Sequence, residues 1–273
     1  MNKIRQPAVA GLFYPASKNR LEDEIKTLLS ISDPGKTYNN IFGIVVPHAG
    51  YIYSGRTASY GFNLLKNKVI GTVIIISPSH REYFPGVSVY DGDAYETPLG
   101  VVEVDKEITE KLTGDSRVIF KGIEGHRQEH AVEVQIPFLQ VVLKDFKIVP
   151  VVMGDQGDLF VDELAEKLSL AVDDKTIIIA SSDLSHYYSA NDARKLDSVV
   201  EKRIVDFDFE RLQKDFQSRN CEACGGGTIV SLMKTASKLN FKKSEILHRS
   251  NSGDTSGDYR EVVGYLSAVV YGE

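Results

Sequence analysis

Thr72-Val-Ile-Ile-Ile-Ser-Pro-Ser-His80 is the stretch on which the reading of the fold turns. Val73 to Ile76 is an unbroken β-branched apolar run, the pattern of a strand covered on both faces. It breaks at Ser77-Pro78 and delivers a histidine two residues later. Ile44-Val-Val-Pro-His48-Ala-Gly-Tyr51 and Thr176-Ile-Ile-Ile-Ala-Ser-Ser-Asp183-Leu-Ser-His186 repeat that plan. Strands buried on both faces need helices to cover them. Helical spacing does lie between them: Leu21, Ile25, Leu28 and Leu29 after a capping Ser17, then Val161, Leu164, Ala165, Leu168 and Ala171, then Leu196, Val199, Val200 and Ile204. Further strands are expected over residues 42–47, 86–90, 146–153 and 262–271, with a hairpin-like excursion at 84–104. The reading is a three-layer α/β/α sandwich around a mixed, mostly parallel sheet, built by a single domain over residues 1–273.

The histidines carry the functional reading. Three of the six in the chain, His48, His80 and His186, directly follow strands. Ligands of open α/β sheets bind beyond the carboxyl ends of strands, so parallel neighbours would bring these imidazoles to one site. Two imidazoles and a carboxylate with open positions suit non-haem Fe(II), and the same donors suit Zn(II). Asp183 and His186 share a loop, so one could bind the metal while the other moves a proton.

Three other patterns compete. His126-Arg-Gln-Glu-His130 spells the H-x-x-E-H signature of inverted zinc peptidases. Gly122 and Gly125 before it place the helix start near Gln128, which leaves His126 in a loop and argues against that chemistry. Glu129, His130 and Glu133 are instead expected to face the strand-end crevice. Cys221-x-x-Cys224 lacks the second pair of a zinc site, and the glycines after it, Gly225 to Gly227, read as close helix packing. Tyr14, Tyr51, Tyr53 and Tyr187 could wall a pocket for an aromatic ligand or serve as half-buried packing.

Composition removes whole classes of function. With 32 basic and 38 acidic side chains in 273 residues, the net charge of -6 offers no general attraction for nucleic acid or anionic membrane. No apolar run approaches the ~18 residues of a membrane span, and the first residues lack a secretory core. Two cysteines build no disulfide framework. A cytoplasmic protein is expected.

Arg5-x-Pro-Ala-Val-Ala-Gly-x-Phe-Tyr-Pro15, Pro47-His-Ala-Gly-Tyr51, Ser77-Pro-Ser-His80, Glu129-His130 with Glu133, and Ser181-Ser-Asp-x-x-His186 together resemble the Memo family. In prokaryotes this is the B protein of the system named after the Ammecr, Memo and radical-SAM proteins. The resemblance runs from residue 5 to about 270. It implies the fold of the class III extradiol ring-cleavage dioxygenases, whose LigB-type subunit binds non-haem iron, and a functional link to Ammecr-type and radical-SAM proteins. Carried over by position, His48 and His80 are metal ligands and His186 is the proton-moving histidine. Asp183, His130, Glu133 and Tyr51 fall among the other residues of the site.

In the animal protein of this family the third metal-binding position is a cysteine shortly before the last strand. Arg249-Ser-Asn-Ser-Gly-Asp254-Thr-Ser-Gly-Asp258 stands there in this chain, and Cys221 and Cys224 come too early in the order of motifs. Asp254 is therefore the expected third ligand, ahead of Asp183 and Glu133, with an incomplete, weak site as the equal alternative. The expected function is oxygen-dependent chemistry at a mononuclear metal, Fe(II) first with Cu or Zn as alternatives, on a small aromatic substrate. A non-catalytic module holding a peptide or phosphotyrosine in the same crevice is the rival.

Overall fold

The apolar runs that end in histidines become three adjacent parallel strands. The computed structural model describes residues 3–273. Among them the chain runs β1 (Ile4–Arg5), α1 (Lys18–Ser30), β2 (Ile41–Val46), α2 (Arg56–Asn63), β3 (Thr72–Pro78), β4 (Val87–Tyr90), β5 (Ala94–Thr97), β6 (Gly100–Glu103), α3 (Lys106–Thr113) and β7 (Ile119–Gly122). It continues through α4 (Ile136–Val142), β8 (Lys147–Met153), α5 (Asp158–Ala171), β9 (Thr176–Ser181), β10 (His186–Tyr188), α6 (Ala190–Val205), α7 (Phe209–Gln217), α8 (Gly226–Lys238), β11 (Lys243–Asn251), α9 (Gly253–Ser256) and β12 (Val262–Tyr271). No helix among the described residues is long and apolar enough to cross a membrane.

The large sheet has the order β10-β12-β2-β9-β3-β8-β4-β7, with β11 on the other side of β12. Neighbours β2–β9, β9–β3, β3–β8 and β4–β7 are parallel. Pairs β10–β12, β11–β12, β12–β2 and β4–β8 are antiparallel. The fold is thus α/β with a mixed sheet, and the expected preponderance of parallel pairing is corrected to an even division. The parallel strands form the middle. β12 returns against β2 and brings β11 with it.

Alternation along β3 explains its unbroken apolar run. Val73 and Ile75 pack on one face with Leu21, Ile25, Phe62 and Phe138. Ile74 and Ile76 pack on the other with Leu112, Leu164, Ile229 and Leu232. Each fully buried Ile contributes roughly 1.5–3 kcal/mol of apolar transfer, and cutting one to Ala costs roughly 2–5 kcal/mol. The cover of the first face is not helical throughout. The small sheet β1-β5-β6 and the N-terminal arm add Tyr95, Val102, Val9 and Tyr14 to it, so the simple three-layer expectation is also corrected. Residues 94–103 do form the expected hairpin.

Two local expectations shift. Ser17 occupies the N-cap of α1 but makes no side-chain capping bond. The helix expected near Gln128 begins later, as a 3-10 turn at Glu133–Gln135 that runs into α4.

Candidate metal centre

Because β2, β9 and β3 lie side by side, the loops after them meet. His48, two residues past β2, is 1% exposed. Its backbone N–H donates to Asp183 Oδ1 at 2.8 Å, and its Nδ1 lies 3.0 Å from Ser181 Oγ. That hydroxyl donates its own proton to Ala131 O and accepts from Gln135 Nε2, both at 2.8 Å. With its only hydrogen spent, Ser181 can do nothing but accept from His48, so the imidazole proton sits on Nδ1 and the Nε2 lone pair is free.

His80 is set by the same logic. Its Nδ1 lies 2.9 Å from Glu129 Oε1, so Nδ1 carries the proton and Nε2 is bare. Glu129 also accepts the backbone N–H groups of His80 (2.6 Å), His130 (2.9 Å) and Ala131 (3.0 Å). Burial pushes this carboxyl up, but the hydrogen bonds it accepts from the ring and the backbone of His80 hold it at about 2. It is an anion that orients the His80 ring.

Cys224 completes the group. Its Sγ is 3.1 Å from His48 Nε2, and the Asp183 backbone N–H donates to it at 3.2 Å. Donor atoms of His48, His80 and Cys224 all lie within 4.8 Å of one another. Metal–nitrogen bonds of ~2.1 Å and metal–sulfur bonds of ~2.3 Å require donors about 3.5 Å apart, so the set fits a single ion. Burial pushes the thiol up and the His48 imidazole well down, so both are neutral until a cation takes the thiol proton's place. A second set, His80, Glu129 and His130, is equally close. There the oxygens of Glu129 are already filled by four N–H groups, so it positions the imidazole instead of holding an ion.

The other candidates fall around this centre. His130 packs its ring 4.7 Å from His80 and 4.7 Å from Phe13. Its Nδ1 makes no hydrogen bond, since Glu129 Oε1 at 3.2 Å already accepts three N–H groups. Burial and the neighbouring His48 hold it down at about 4, hence neutral. His186 Nδ1 lies 2.8 Å from Leu184 O, which leaves Nε2 free to take a proton. Asp183 is buried, which pushes its carboxyl up, and its oxygen holds the His48 loop.

Three sequence expectations lie elsewhere. Asp254 is exposed on α9 and accepts from the Asn251 N–H at 3.0 Å, closing a local turn, while Cys224 is the residue beside the imidazoles. Glu133 is fully buried but turned away, accepting from Arg5, Tyr14, and the N–H groups of Ala8 (2.8 Å) and Val9 (3.0 Å). Tyr51 is 4% exposed in the core, its hydroxyl donating to Val134 O at 2.7 Å.

Motif order argues against Cys224, yet its neighbours carry the signal. A Cβ on Gly225 would lie 2.4 Å from Ser181 O, and the Gly225 N–H donates to Ser182 Oγ at 2.9 Å. The glycines do mean close packing, and what Gly225 packs against is the end of β9, next to His48.

Residues 5–269 match the family model of the Memo-like proteins. A MEMO1 family protein of Thermoplasma volcanium is 42% identical over 267 residues, covering 97% of this chain and 98% of that one. One from Methanosarcina barkeri is 40% identical over 271 residues, covering 98% and 100%. An uncharacterized protein from Escherichia coli K12, solved by crystallography, shares the fold with a TM-score of 0.50 at 11% identity, over 84% of this chain and 99% of that one. A whole-length family match and relatives of this identity leave one conclusion: the chain belongs to the Memo-like protein family.

Proposed function

We propose that this protein is a mononuclear metal-dependent oxidoreductase, with His48, His80 and Cys224 as ligands, Fe(II) as the metal and a small aromatic molecule as substrate. The observation that carries the reading is the pair of imidazoles whose protons are pinned on Nδ1, leaving both Nε2 lone pairs beside a half-buried thiol. One thiolate with two imidazoles favours iron, copper or zinc over magnesium or calcium. Bound iron would supply Lewis acidity and access to dioxygen chemistry. We also read the scaffold as a variant of the class III extradiol dioxygenase architecture, and the cytoplasm as its compartment.

The chain's own residues have separable tasks. Ser181 and Asp183 fix His48 from its ring and its backbone, and Glu129 fixes His80. His186, its proton on Nδ1, takes a proton from the substrate at Nε2 and returns it. His48 is buried while Cys224 is half-buried and His80 exposed, so the centre is closed on one side and open to a substrate on the other.

The test is anaerobic purification with elemental analysis, followed by oxygen uptake on a panel of catechols. Stoichiometric iron with uptake is expected, and His186→Ala should keep the iron and lose ~10²–10⁴-fold in turnover. Absence of metal and of uptake would leave the crevice as a peptide-binding surface.

A further inference from the structure

Beside the centre lies a cavity of about 470 Å³, a volume typical of small-molecule sites, with His186 and Cys224 both on its wall. Its apolar lining comes from Val161, Leu184, Phe216 and Val230. Gly226 and Gly227 keep α8 flat, since a Cβ on either would press within 2.8 Å of Phe216 or Gln156.

The polar side chains on the wall are nearly all engaged. Gln156 donates to Cys224 O at 2.8 Å and accepts the Gly227 N–H at 2.7 Å. Asp158 accepts the amide groups of both Gln213 and Gln217. Glu222 accepts from the Tyr188 hydroxyl at 2.6 Å. Arg219 is different: among the described residues its guanidinium has neither a hydrogen bond nor an ion pair, and it is exposed at the rim.

The backbone of Arg219 makes the choice of residue informative. It ends α7 in the left-handed region, with φ 57°. Its N–H donates to Phe216 O at 3.1 Å, and the Asn220 N–H donates to Asp215 O at 2.9 Å. Those two bonds define the helix end at which glycine is the favoured residue, because a Cβ is strained there. An arginine at this position is not what the turn asks for. A cation near a helix C-terminus recovers part of that cost, but that interaction uses charge alone and leaves the donors of the guanidinium unused.

We propose that Arg219 recognises the carboxylate of the substrate, and that this cavity takes a small monocarboxylic acid with a compact apolar body, its far end presented to His186 and Cys224. The assignment of His186 and Cys224 as the reacting side rests on the function proposed above; the anion recognition does not.

The experiment uses the full chain stripped of metal with chelator, so that no carboxylate can bind through an ion. Titration calorimetry with 3-phenylpropionate and with its neutral counterpart 3-phenylpropionamide should show the acid binding about tenfold more tightly, the scale of one charge-assisted pair at a partly wet site. Arg219→Gln and Arg219→Gly should abolish that preference. Arg219→Gly should keep or raise the thermal midpoint, because it relieves the left-handed backbone. Equal binding of acid and amide, no saturable binding of the acid at millimolar concentrations, or a preference that survives in both variants would overturn the proposal. So would a lowered midpoint in Arg219→Gly, which would assign the arginine to the helix end. Metal content decides the function proposed above, and acid against amide decides this site, so the two can fail separately.

Discussion

Cys224 Sγ stands 3.1 Å from His48 Nε2, although 176 residues separate them in the chain. The contact joins the loop after β2 to the start of α8, and its meaning is testable by substitution. Cys224→Ala should lower metal affinity by more than the ~10–100-fold typical of losing a group that merely orients a ligand. Asp254→Ala should leave affinity unchanged, since Asp254 closes a surface turn. Competition against a graded series of chelators reads both. Equal affinities in wild type and Cys224→Ala would remove the thiol from the ligand set.

Glu129 tests the orienting role itself. Glu129→Gln keeps the size of the side chain but replaces one oxygen with an N–H₂ group. It cannot accept the His80 Nδ1–H and three backbone N–H groups as the carboxylate does. Metal affinity should fall ~10–100-fold while the far-ultraviolet circular dichroism stays native. An unchanged affinity would mean that His80 needs no support on its far side.

His126 should make the fold sensitive to acid. It is buried, lies 2.8 Å from the Tyr95 hydroxyl through Nδ1 and 3.2 Å from Ser88 O through Nε2. Burial pushes it down from its ordinary 6.5 to about 3. The unfolded chain therefore binds a proton that the native one refuses, so this contribution is full above pH 6.5 and is lost as pH falls toward 3. The slope should approach ~1.4 kcal/mol per pH unit within that window. Urea midpoints of wild type and His126→Gln across the window measure it; parallel curves would exclude His126 as the source.

Arg5 and Glu133 form a buried ion pair that ties the N-terminal arm down. Arg5 Nε also donates to His126 O at 3.1 Å, and its Nη2 donates to Glu129 O. Arg5→Ala leaves Glu133 charged and buried, which should cost roughly 3–5 kcal/mol. Because Arg5 holds the carbonyls of the loop bearing Glu129, metal affinity should fall as well. A stability loss under ~1 kcal/mol would show that water reaches Glu133 in the variant.

How much of this was legible depended on where the information was stored. Val73 to Ile76 and Ile177 to Ile179 announce strands buried on both faces, and their following histidines announce a site, because both signals are local. β11 was missed because Lys243-Ser-Glu-Ile-Leu-His-Arg-Ser-Asn251 is polar and only half-buried; pairing with β12 makes it a strand. Glu133 and Tyr51 sit in motifs that surround the centre, yet they serve the core beneath it. A motif reports that residues matter together but not which way each side chain faces. Cys224 was hidden by distance along the chain. Only the packing of Gly225 against Ser181 and Ser182 puts it beside His48.

The position of β12 bears on how the chain is made. It lies against β2, yet it is synthesised long after it. Until residues 262–271 leave the ribosome, one edge of β2 has no strand beside it, and an apolar run with an open edge is a template for pairing with other chains. Cys224, too, is made long after His48 and His80. A nascent chain is thus exposed at its sheet for most of its synthesis, and a chaperone that shields the β2 edge would protect it until β12 arrives.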